Sequence, residues 1–71
     1  DIIMTIRVIL NYVKRFFGID ENDTTIDRQF ADLLAKDLDK GITSDSLIEH
    51  SINLYGALLN ATYSNDNAKH R

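Results

Sequence analysis

IIMTIRVILNYVKRFFGI, residues 2–19, decides the fold, because it suits a helix closed by glycine or, in its β-branched first half, a strand. Ile2, Ile6, Ile9, Val13 and Phe16 recur at alternating steps of four and three, the spacing of a helix-packing seam. Gly18 then takes the left-handed conformation that ends a helix, and Ile19 can fold back over the last turn. DKGI at residues 39–42 repeats the device. The spacing predicts a first helix over about 2–17, with a strand across IIMTIRVIL as the alternative.

Outward from that segment, two more helices are expected. Thr24 with Asp27 three residues on resembles a capping box and opens a helix over about 25–39. Its apolar stripe is Ile26, Phe30, Leu33, Leu34 and Leu38, and Lys40 sits where a helix end favours a cation. Thr43 is the expected N-cap of a third helix over about 44–62, with Ile42 and Leu47 placed as a hydrophobic staple. Leu47, Ile48, Ile52, Leu54, Tyr55, Leu58 and Leu59 share one broad face; Asp45, Glu49, Asn53, Gly56 and Asn60 share the other. The expected architecture is all-α: a small three-helix bundle, a helical hairpin plus an N-terminal helix, in one domain over 1–62. A polar tail over 63–71 is expected to fray.

Seventy-one residues give a small core, and such domains usually lean on disulfides, a metal or self-association. The chain has no Cys, so disulfides and thiolate zinc sites are excluded. With 44% hydrophobic residues and no Pro it is not a disordered linker. Its net charge of −3 is uneven: +2 over residues 1–18, −6 over 19–50 and +1 over 51–71. The N-terminal run has neither a basic leader nor a small-residue cleavage site, and Arg7, Asn11, Lys14 and Arg15 interrupt it. Neither a signal peptide nor a spanning helix is expected, and the expected compartment is cytoplasmic. A start at Asp1 rather than Met is what is expected of a fragment, a processed product or a chain whose start has been removed.

Eleven of residues 2–17 are apolar, more than two partner helices from so short a chain can cover. The expected interaction surface is therefore Ile2, Ile6, Ile9, Val13, Phe16 and Phe17, with Arg7, Lys14 and Arg15 setting orientation electrostatically. The expected function is a non-enzymatic interaction or regulatory module, a homodimer formed through the first helix. A dimeric DNA-binding regulator is the second reading and a membrane-surface helix the third.

Other patterns resolve into weaker chemistry. A helix-turn-helix would read DNA with Thr43, Ser44, Asp45, Ser46 and Glu49, but two carboxylates repel phosphate and residues 41–68 contain no Lys or Arg. TSDSLIEHSINLYGALL, residues 43–59, resembles the second helix of ribbon-helix-helix repressors. That family needs a basic strand before its first helix, whereas ENDTTID is acidic and MTIRV at 4–8 lies too far upstream. Asp45-Ser46-Leu47 is similar to the phosphopantetheine site of acyl carrier proteins, and FFGID with Phe30 resembles their first helix and loop. The stretch from Phe30 to Asp45 is too long for that family and holds a helix of its own. Asp20-x-Asn22-x-Thr24 opens like a calcium loop but has Thr25 and Ala31 where Gly and Glu belong. Asn22-Asp23-Thr24 and Asn60-Ala61-Thr62 are formal glycosylation acceptors without a secretory context. His50 and His70 lack Cys or His partners at ligand spacing, so no metal or cofactor is expected. Asp37, on the apolar side of the second helix, needs solvent or a cation such as Arg15 or a partner's Lys. Gly56 is either a close-approach point or a weakness in the third helix.

Overall fold

Three helices pack on one another in the computed structural model, which describes residues 1–69, with side chains described as far as Ser64. Helix α1 spans Ile2–Phe17, α2 Asp27–Asp39 and α3 Ser44–Lys69, and no strand occurs among the described residues. IIMTIRVIL is therefore helix. Asp1 caps it, its carboxylate accepting the Met4 N–H at 2.9 Å. The other end is a full Schellman motif: Gly18, at φ 69°, donates to the Arg15 carbonyl and Ile19 to the Lys14 carbonyl.

The second glycine stop is partial. Gly41 adopts φ 95° and donates to Leu38, but Ile42 makes no outer bond to match that of Ile19. The expected capping box at α2 does not form. The Asp23 carboxylate takes both the N–H (3.1 Å) and the hydroxyl (2.6 Å) of Thr25 in an Asx turn. Asp27 is drawn instead toward Lys14, so α2 starts at Asp27 with no side-chain cap. Thr43 sits just before α3, its hydroxyl 3.0 Å from that of Ser46. No breaker follows Gly56, and α3 runs past residue 62 to Lys69. The fraying expected of the tail falls largely on residues 65–71, outside the described side chains, and His70 and Arg71 lie outside the described residues altogether.

Contacts along the helices fix their directions. The start of α2 meets the end of α1 through Asp27 and Lys14, so these two run antiparallel. Asp37 meets His50 and Phe30 meets Tyr55, so α2 and α3 are antiparallel as well. Met4, Thr5, Val8 and Ile9 lie by Leu47 and Phe17 lies by Gly56, so α1 and α3 run parallel in an up-down-up bundle. The core comprises Ile6, Ile9 and Val13 from α1, Ile26, Phe30 and Leu34 from the second segment, and Tyr55 from α3. Leu33, from the apolar stripe of α2, and Ile48, from the broad apolar face of α3, point outward: Leu33 is 38% exposed and Ile48 41%. Ser51 is fully buried, and its hydroxyl is satisfied by the Leu47 carbonyl at 2.7 Å.

Candidate interaction surface on the first helix

The a/d spacing on α1 serves the chain's own core. Ile6, Ile9 and Val13, expected to meet a partner, pack against α2 and α3 and are unavailable to one. An amphipathic helix in a bundle spends its regular seam on its own neighbours, and only what projects beyond that seam stays free. Phe17 is half-buried: its ring stacks on Tyr55 at 5.7 Å and meets Phe16 edge-on at 5.1 Å. Ile2 and Phe16 remain exposed, as do Arg7 and Arg15.

Lys14 is the largest departure from the expected surface. It is 4% exposed, and its ammonium donates to the Glu21 carbonyl at 3.1 Å and to Asp27 Oδ2 at 3.2 Å. Asp27 Oδ1 also lies 3.2 Å from the nitrogen, too poorly aligned for a hydrogen bond, and is the one buried side-chain polar atom left without one among the described residues. Lys14 therefore orients α2 on α1 rather than a partner on α1. Asp37 likewise finds its partner within the chain. His50 Nε2 stands 2.5 Å from Asp37 Oδ2, where the sequence had suggested Arg15 or a partner's Lys.

With the seam turned inward, the outer face of α1 is left with Met4, Val8, Tyr12 and Phe16, between 47% and 64% exposed. These residues form an unbroken row at steps of four, one ridge of the helix surface. Arg7, Asn11 and Arg15 flank the row on one side and Thr5 on the other. Ile2 and Ile3 add exposed apolar surface in the first turn, and Val8 and Met4 share a shallow groove with Leu47 of α3. Sequence reasoning missed Ile3, Met4, Val8 and Tyr12 because the a/d seam was the stronger pattern. Their step-four spacing was present in the same sixteen residues.

Among the described residues, two titrations differ from the ordinary. Burial pushes the Tyr55 phenol up to about 12, with the Asp27 and Asp23 carboxylates adding to the shift. The Thr25 hydroxyl, and after it the Thr25 N–H, hold the Asp23 carboxyl below its usual range. Among the described residues no group of three or more His, Asp or Glu side chains could hold a metal ion. No described helix is long and apolar enough to cross a membrane. No protein-family model, curated protein or solved structure matches the chain.

Proposed function

We propose that this chain is a small non-enzymatic interaction module that self-associates as a homodimer through the outer face of α1. The observation that carries the reading is the exposed row Met4–Val8–Tyr12–Phe16. A fully exposed large apolar side chain presents on the order of 150–200 Å². At the observed exposures the row leaves about 400 Å² uncovered, and Ile2 and Ile3 bring α1 to roughly 600 Å². That is at the upper end of the largest apolar patch on an ordinary monomer. With Arg7, Asn11, Arg15 and Thr5 as a polar rim, it approaches the ~800 Å² per partner of a standard-size interface.

The charge distribution favours a protein over a lipid surface, since the body beneath the ridge carries the acidic middle of the chain. Sedimentation equilibrium at micromolar concentration is the test. The expected result is a dimer that becomes monomeric, with its helical circular dichroism intact, on Val8→Asp with Tyr12→Asp. A strictly monomeric wild-type chain refutes the proposal.

A further inference from the structure

The exposed row also carries information about how two copies would meet, an inference that rests on the self-association reading above. We infer that the two α1 helices cross antiparallel about a two-fold axis. Val8 then faces Tyr12 of the partner subunit, and Met4 faces Phe16 of the partner subunit. Size matching is the first reason. In the antiparallel register each facing pair joins a smaller side chain to an aromatic one, so no level sets two small or two large residues against each other. A parallel two-fold pairing opposes Val8 to itself and Tyr12 and Phe16 to themselves. That leaves a void at one level and crowding at the next.

Charge gives the second reason. Lys14 is withdrawn into the bundle, so Arg7 and Arg15 are the cations left on the outer face. Parallel pairing sets Arg7 beside Arg7 and Arg15 beside Arg15, and aligns the two helix dipoles side by side. Antiparallel pairing brings Arg15 to the level of Thr5 of the partner subunit, within one turn of its Asp1 carboxylate, and opposes the dipoles. Two rows at steps of four interdigitate best at about −50°, so Val8 and Tyr12 make the central contact and Met4 and Phe16 the ends.

The absence of Cys makes disulfide trapping a clean test on the full chain. Val8→Cys and Tyr12→Cys chains are mixed and oxidised, and the products are sorted by mass; a Met4→Cys chain is oxidised alone. The mixed pair is expected to give the Val8–Tyr12 heterodimer as its main cross-link. Met4→Cys alone is expected to stay uncross-linked, because the partner's Met4 would lie ~18 Å further along the helix. A disulfide spans Cα atoms no more than about 7 Å apart. A dimer in which Met4→Cys links to itself is parallel and overturns the inference while leaving self-association standing. A dimer that forms neither link pairs through another surface and overturns it too. A monomer that binds anionic phosphatidylserine vesicles instead assigns the face to a membrane and removes both readings.

Discussion

Replacing Lys14 by Met tests whether this lysine belongs to the core of the chain or to its outer surface. The ammonium is buried with the Asp27 carboxylate and the Glu21 carbonyl as its partners. Met keeps the stem's packing and removes the charge. Asp27, with Oδ1 already without a hydrogen bond, then keeps a part-buried carboxylate with no cation beside it. Removing one partner of a buried pair costs about 3–5 kcal/mol, and because Asp27 is 23% exposed the lower end applies, about 3 kcal/mol. A domain of 71 residues has roughly 4–10 kcal/mol of stability to lose. The variant should therefore melt about 15 °C lower and unfold in far less urea. Converting Asp27 to Leu in the same chain should recover most of that loss, since the orphaned charge goes with it. The assay is urea unfolding followed by circular dichroism for the wild type, both single variants and the double. A loss below about 1 kcal/mol for Lys14→Met, with no coupling to Asp27, would refute the buried-pair account.

Three further outcomes follow from the packing and the backbone. Phe30→Ala removes a fully buried ring that meets Tyr55 at 5.4 Å; a cost of about 3–5 kcal/mol should leave the variant largely unfolded by circular dichroism at 37 °C. Gly18→Ala keeps its space, with nothing within 4 Å, but forces an L-residue to φ 69°; about 1 kcal/mol should be lost in urea titration, whereas Gly56→Ala, at ordinary helical φ, should show no such backbone penalty. Tyr55 ionises late in the folded state, so its contribution is complete below pH 10 and lost as pH rises toward 12; stability should fall by on the order of 2 kcal/mol across that window, and Tyr55→Phe should flatten the fall.

The helices were legible in the sequence because their signals are local. Gly18 and Gly41 mark two ends, and the a/d seam marks α1 from end to end. Cap chemistry was less legible, since several acceptors compete for the same donors within a few residues. Asp23 wins Thr25 and Lys14 wins Asp27, and neither outcome shows in spacing alone. The surface was the hardest part. Whether Ile9 or Val8 faces a partner depends on which side α2 and α3 occupy, and that is a tertiary fact. Gly56 shows the same dependence. A Cβ there would lie 3.1 Å from Phe17 Cζ, so the glycine is the notch that lets the ring lie against α3.

The aromatic series that begins at Phe16 has an optical consequence. Phe16, Phe17, Tyr55 and Phe30 stand in sequence at 5.1, 5.7 and 5.4 Å between centroids, reaching from the outer surface to the centre of the bundle. The chain has no Trp, so near-ultraviolet circular dichroism comes from its three Tyr and three Phe residues. Tyr55, locked between two rings, should dominate that spectrum. A compact state that keeps its helices but loses side-chain order retains the far-ultraviolet signal and loses the near-ultraviolet one. The protein thus carries its own unlabelled gauge of whether helices that have formed have also packed.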